Sequence, residues 1–510
     1  MSFFHVLPLL ILTMAIPSSS DDGADASDEV IGLIAFKSEL HDPLSSLASW
    51  NEDDQSPCSW RFVECNPISG RVVQLSLDGL SLSGKIGIGL QKLPELKVLS
   101  LSNNNFSGSI GTHLDLLSNI ERLNLSRNRF SSSFPQSILN SSSIKFLDAA
   151  ENDLSGTLPD DAFGNCSSLR YLSFAGNSLC GHLPRFDSCV SLKTLNLSNN
   201  YFSGETRFSS GLWSLSRLRR LDLSHNFLHG IVPGGISYLR RLKELRLRRN
   251  WFSGSIPEDL GLCLHLEVLD MSENQFDGNL PSSLSKLTSM VYLSFSGNKL
   301  ADDFPSWIGQ VSYLQHLDLS KNGFSATLPD TLGELKSLKF FDCSDNKISG
   351  SIPVSLASCS MLKVIRMRSN FLIGIIPERL FNVNLVEVDL ADNGLTGFIP
   401  PASSGFSSSI RSIDLSRNNL GGQLRHGWIE LSSSLRYLNL SWNHLQSTLP
   451  EELGYLQNLG VLDLRNNAFN GSIPADLCES SSLEILRLDS NSLTDPIPQE
   501  IGNCSSLYIL

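Results

Sequence analysis

Beyond its first sixteen residues the chain has no apolar run approaching the ~20 residues that a membrane-spanning helix requires, so residues 17 to 510 hold no candidate span. It also lacks an excess of positive charge. Against 52 aspartates and glutamates stand 39 lysines and arginines, a formal charge of -13, which argues against a nucleic-acid surface and makes any basic site a local one. No Cys-x-x-Cys occurs among the ten cysteines, whose spacing gives no metal-ligand set. A Gly-rich phosphate loop, a Val-Ala-Ile-Lys lysine and the His-Arg-Asp and Asp-Phe-Gly motifs are missing too, so this segment is not expected to transfer phosphate. Histidine, serine and aspartate abound, yet no nucleophile motif joins them. The reading is of a chain that is not an enzyme and takes no cofactor or metal.

What is present is a repeat. An asparagine in the pattern Leu-x-x-Leu-x-Leu-x-x-Asn recurs from Asn104 to Asn491 at intervals of 23 to 26 residues, mostly 24. Val72 to Gly84 supplies an earlier unit with Leu80 in the asparagine slot, which makes eighteen units, and a further one starts at Leu507. This is the leucine-rich repeat signature, in which each unit gives one short parallel strand and a tighter return segment. Alternation along the strand sends Leu245 and Leu247 inward and leaves Glu244, Arg246 and Arg248 on the open face. The asparagine is expected to turn inward and pair backbone groups that the turn would strand. The predicted fold is α/β, a leucine-rich repeat solenoid with a parallel concave sheet and a 3-10 or irregular convex side. At about 4.8 Å per strand, eighteen strands give a concave face on the order of 85 Å along its curve.

Residues 1–20, with an apolar run from Phe3 to Ile16, read as a secretory signal peptide. Residues 28–67 read as an N-terminal helical cap in which Val30, Leu33, Ile34 and Phe36 form an apolar stripe. Cys58 and Cys65 are close enough in sequence to staple that cap with a disulfide. Residues 72–510 are the repeats. Cys166, Cys189, Cys263, Cys359 and Cys504 each stand three residues before the first leucine of a unit and are expected to be free thiols filling the convex core. Cys166 and Cys189, in neighbouring units, are the pair that could instead bridge. No second capping pair is expected near Leu510, which falls within a strand, so the chain reads as a portion of something longer. Export would make eight sequons glycan acceptors, at Asn105, Asn124, Asn140, Asn165, Asn196, Asn439, Asn470 and Asn503.

The helix followed by LASWNEDD, the CSW and VECNP around the cysteine pair, VVQLSLDGLSLSGKI, and the SGSIP units together resemble the ectodomain of a plant leucine-rich repeat receptor-like kinase, most nearly the members described as inactive. The likeness covers residues 28 to 510 and departs from the usual cap pattern Cys-x-Trp-x-Gly-Val-x-Cys at Phe62. It implies the plant-specific repeat class, a transmembrane helix and a kinase-like domain beyond these residues, an extracellular peptide or protein ligand, and a co-receptor. It also implies placement on the outer face of the plasma membrane. A soluble repeat inhibitor of a secreted enzyme, or a receptor-like protein without a kinase, is the competing reading.

Two Arg-x-Arg pairs then draw notice. The middle position of each Leu-x-Leu is mostly aspartate, and Arg246 and Arg366 interrupt that column between Asp222 and Asp270 and between Asp342 and Asp389. One reading is that they relieve repulsion in an aspartate ladder. The other, implied by the resemblance to peptide-hormone receptors, is that Arg246 with Arg248, or Arg366 with Arg368, clamps a peptide's C-terminal carboxylate. Arg248 and Arg368, with serine or alanine beside them in their own column, read as the less neutralised members. The second pair is preferred because Tyr292, His316 and Phe340 line up one column away and lead towards it. No sequon lies between Asn196 and Asn439, so both pairs fall in a window clear of glycans.

Overall fold

The computed structural model describes residues 22–110, 114, 117–206, 211–400, 409–424, 434–478 and 482–510. The signal-peptide reading of residues 1–20 falls outside them. Among the described residues no helix is long and apolar enough to cross a membrane.

The repeat builds a solenoid with a long concave sheet of 19 strands. Its first pair, Val63–Cys65 with Val72–Ser76, is antiparallel, and every later neighbour is parallel and in register, as in Leu221↔Leu245↔Leu269. Strands of three residues suffice because each is tied to both neighbours and each repeat buries its leucines against the next. A second set of short parallel strands follows the asparagines, illustrated by Trp251–Ser255 beside Gln275–Gly278. Five-residue 3-10 turns such as Glu258–Leu262 close the convex side. Close stacking there demands glycine: a Cβ on Gly261 would stand 2.3 Å from the Ser283 carbonyl oxygen.

The asparagine ladder welds one unit to the next. The Asn274 side-chain nitrogen donates to the carbonyls of Leu247, Met271 and Ser272 at 3.0, 3.2 and 3.0 Å, while its oxygen accepts from the Phe252 amide at 3.0 Å. One side chain thus satisfies backbone groups of two repeats. The residue before each asparagine is forced into left-handed backbone, as Arg249 (φ 54°) and Glu273 (φ 53°) are. That is a cost the ladder must offset.

At the N-terminus the helix Asp22–Ser38 buries Val30, Leu33 and Phe36 and ends before Leu40, which with His41 instead pairs antiparallel with Ser83–Gly84. Glu29, fully buried, accepts from the Val72 amide and so caps the first repeat strand. Cys58 and Cys65 form a disulfide, and the rings of Trp50 and Trp60 stack at 5.4 Å within the same cap. Phe62, where the family pattern has glycine, adopts φ 72°, a left-handed conformation that explains the usual preference for glycine there. Its ring packs on the core under the Arg61 guanidinium, 5.0 Å from the ring centre.

The cysteine reading needs correcting. Cys166 and Cys189 are bridged, and Cys504 pairs with Cys478. Adjacent units stack one above the other, which brings Cys166 and Cys189, at equivalent positions, to a Cα separation of 4.7 Å and Cys478 and Cys504, at offset positions, to 5.0 Å, both within disulfide reach. Cys478 sits two residues earlier in its unit than the others, which hid the second pair from a spacing argument. Cys263 and Cys359 are buried free thiols, pushed up to about 11 by burial. They are inert core residues.

Candidate functional site

Alternation places three outward columns on the concave face, and the register fixes their members. Tyr292, His316 and Phe340 are successive partners in one column. Their rings stack with centroid separations of 4.2 Å on each side of His316 and interplanar angles of 6° and 8°. All three are half-buried. Burial between the two rings holds the His316 imidazole below its ordinary value, and burial with the nearby charges of Asp270 and Asp318 pushes the Tyr292 phenol up. Both shifts favour the uncharged form.

Phe340 hands the column on to Arg366, whose guanidinium carbon lies 5.4 Å from the ring centre. Arg366 is gripped by the next repeat: Nε donates to Glu387 Oε1 at 2.6 Å and Nη2 to Oε2 at 3.0 Å, while Nη1 stands 3.8 Å from Asp342. Two of its donors are committed, which orients the third nitrogen. Arg368 on the same face is exposed and forms no ion pair among the described residues.

The first pair is different. Arg246 bonds Glu244 at 3.1 Å, and Arg248 and Arg249 share Glu273. The expectation that Arg248 is poorly neutralised is therefore corrected. Its partner comes from the column on the rim, one repeat further, which a comparison within its own column misses. The arginines also pair with the aspartate column, Arg366 with Asp342 at 3.8 Å and Arg487 with Asp463 at 3.6 Å. Each aspartate accepts the backbone amide two residues on, as Asp318 does from Ser320 at 3.0 Å and Asp414 from Ser416 at 3.0 Å. The aspartate column is a set of turn caps.

Asp389 is the neighbour of Arg366 in that column. Burial, aided by Asp414 and Glu387, pushes its carboxyl from 3.8 up to about 6, against the pull of the Ala391 amide and Arg368. A carboxyl whose folded value is raised favours the protonated form in the fold. The penalty for ionising it is absent below about pH 4, grows as pH rises through about 6, and is constant above that. Asp389→Asn keeps the acceptor for Ala391 and removes the charge. It is expected to raise the melting temperature at pH 7 and to lose that advantage between pH 6 and pH 4, as read by calorimetric scans across that range.

The sequons divide by exposure. Asn105, Asn140, Asn165, Asn470 and Asn503 are exposed. Asn124, Asn196 and Asn439 are half-buried on the concave face, and each accepts from the backbone amide two residues on. The Asn439 nitrogen that would carry a glycan also donates to Asp414 at 3.1 Å and Tyr437 at 3.2 Å.

Two aromatic groups escaped the reading of the sequence. Phe146 and Tyr171, earlier in the same column as Tyr292, stack at 4.4 Å with Arg122 lying 3.7 Å over Phe146. The column rule would have found them. Tyr201, Phe227 and Trp251 line the rim just after the asparagines, where the signal is an aromatic following asparagine in three consecutive units.

These features define a leucine-rich repeat protein. Models of that family match residues 196–359, 383–445, 95–117, 119–141, 458–480 and 482–504, and a leucine-rich repeat N-terminal domain matches residues 26–66. Its relatives are plant leucine-rich repeat receptor-like kinases, and the chain resembles their ectodomains. A protein of Arabidopsis thaliana described as a "Probably inactive leucine-rich repeat receptor-like protein kinase" is 51% identical over 232 residues, 44% of this chain and 23% of that protein. The Arabidopsis leucine-rich repeat receptor-like protein kinase PXC2 is 46% identical over 97 residues, 19% of this chain and 10% of its own length. The matched parts thus span less than a quarter of those relatives.

Among solved structures, the plant peptide hormone receptor RGFR1 in complex with RGF2 superposes with a TM-score of 0.76 at 28% identity, covering 89% of this chain and 82% of that one. The Arabidopsis receptor kinase HAESA, in complex with the peptide hormone IDA and the co-receptor SERK1, gives 0.74 at 28% identity over 95% and 93%.

Proposed function

We propose that this chain is the extracellular ligand-binding part of a receptor-like kinase and takes an extended peptide along its concave face. The peptide lies across the Tyr292, His316 and Phe340 stack with its free C-terminal carboxylate at Arg366 and Arg368. The observation that carries this reading is the contrast between the two arginine pairs. The first is consumed by Glu244 and Glu273, while the second ends a stacked aromatic trough and keeps, in Arg368, an exposed guanidinium with no ion pair among the described residues. Arg366 is fixed by Glu387 with its remaining nitrogen 3.8 Å from Asp342, so it needs little reorganisation on binding, which lowers the entropy cost, while Arg368 supplies the uncommitted charge.

The likeness to RGFR1 and HAESA, both solved with peptide hormones, supports a peptide as the ligand class and a second receptor as a partner. Membrane attachment and a kinase-like domain belong to this proposal too, through the receptor-like kinases it resembles.

The test is a calorimetric screen of the intact ectodomain against secreted peptides, each made with a free and an amidated C-terminus. Binding of one free-acid peptide, lost on amidation, is expected. Equal affinity of both forms would remove the carboxylate from the proposal.

A further inference from the structure

Where the asparagines hand the chain from the concave sheet to the second set of strands, the rim carries a trough of about 530 Å³. One wall is aromatic. Tyr201, Phe227 and Trp251 stand on three adjacent strands and are 54%, 40% and 55% exposed, a density of uncovered rings that folding alone does not call for. Tyr201 and Phe227 stack at 6.0 Å, and Trp251 is turned 64° from Phe227 at 5.5 Å, so the three rings form a bent platform. The opposite wall is polar, made of Asn199, His225 and the Arg249–Glu273 ion pair at 2.6 Å. The floor is the asparagine ladder, whose amide groups are spent on backbone, as those of Asn226 are on Leu197, Leu223, Ser224 and Phe202. Only the two walls are left to meet a ligand.

We propose that this trough binds a short neutral oligosaccharide of two or three pyranose units. A pyranose ring has a face of C–H groups, which the negative face of an aromatic ring attracts, and a periphery of hydroxyls that need partners. It is the common biological ligand that requires an aromatic wall and a polar wall together. Length fits as well: three repeats at about 4.8 Å place the rings along roughly 10 Å, the span of two or three sugar units. The volume falls within the ~300–1,000 Å³ of small-ligand sites.

The polar wall argues against a cationic ligand. Glu273 is shared by Arg249 and Arg248, so the wall carries no free carboxylate for a cation, and Arg249, bonded to Glu273 through Nε, has terminal nitrogens that can donate to sugar hydroxyls. Burial, with Arg249 and Arg248 close by, holds His225 below its ordinary value. The neutral form that this favours both donates and accepts, as a sugar hydroxyl does. The trough lies beside the first arginine pair, repeats away from the Arg366 and Arg368 clamp, so the two sites are tested independently.

The experiment titrates the purified ectodomain with cellotriose, xylotriose, mannotriose and trigalacturonate, following heat and tryptophan fluorescence. At least one neutral trisaccharide is expected to bind saturably below about 10 mM, and Trp251→Ala and Tyr201→Ala are each expected to weaken it about tenfold or more. Tyr313→Ala, removing an exposed ring outside the trough, should leave it unchanged. Each replaced side chain is exposed, so the variants should melt as the parent does. Three outcomes overturn the proposal: no saturable binding of any neutral sugar, binding of trigalacturonate alone, or sugar binding that survives the Tyr201→Ala Trp251→Ala double variant. A peptide with aromatic side chains that binds in a Trp251-dependent way while no sugar does would reassign the trough to protein recognition.

Discussion

Asn274→Leu is expected to cost about 3–5 kcal/mol, because a single side chain there serves four backbone groups. Asn274 is 9% exposed, and water cannot readily replace it. Leucine, branched at the same atom though bulkier, leaves the Phe252 amide without its acceptor and deprives the Leu247, Met271 and Ser272 carbonyls of a donor. Each buried group left unpaired costs about 1–3 kcal/mol, reduced where a carbonyl retains another donor. Because a solenoid repeat touches only its neighbours, the loss should concentrate at the interfaces on either side of this unit.

Hydrogen exchange is the measurement. The Phe252 amide and its neighbours should lose protection by roughly two to three orders of magnitude, while amides near Asn104 and Asn491 keep theirs. Gln275→Leu, one residue away but exposed, serves as the control and should change stability by less than about 0.5 kcal/mol. A loss below about 1 kcal/mol for Asn274→Leu would mean that the ladder is dispensable.

Arg366→Ala with Arg368→Ala is expected to abolish binding of the cognate free-acid peptide, a loss of at least about a hundredfold. Two charge-assisted contacts to a carboxylate, each about 1.5–3 kcal/mol, amount to that or more. Arg368→Lys should fall between, losing about tenfold, since the charge stays and the fork geometry goes. Glu387→Gln probes positioning. The fixed guanidinium loses its charged anchor, so affinity should drop by less than in the double variant and chiefly through faster dissociation. The matching change at Arg246 and Arg248 should leave affinity within about threefold, because Arg248, unlike Arg368, already holds a carboxylate, that of Glu273. If instead the first pair proves essential and the second does not, the peptide terminates five repeats earlier and the clamp is misplaced.

The sequence made the columns legible. In a solenoid each outward position recurs once per unit, so listing the residue before each Leu-x-Leu lays out the face in spatial order. The register Tyr292↔His316↔Phe340 could be written without coordinates. Charge pairing was not legible in the same way. Arginine and glutamate side chains reach across columns and into the next unit: Arg366 finds Glu387 in the adjacent column, and Arg248 finds Glu273 on the rim. A column read alone names neighbours by register and misses partners by reach. The disulfides failed for a related reason, since Cys478 and Cys504 stand at different offsets within their units and only the stacked backbone brings their Cα atoms to 5.0 Å.

The amino-acid sequence by itself therefore determined the repeat, its strand faces, the asparagine ladder and the order of residues along the concave surface. Each of these depends on local spacing and on the alternation of a strand. The tertiary structure alone decided which guanidinium has no ion pair among the described residues and that Cys166 bridges Cys189 and Cys478 bridges Cys504. Those outcomes depend on how far side chains extend between neighbouring repeats, a distance that no single repeat contains.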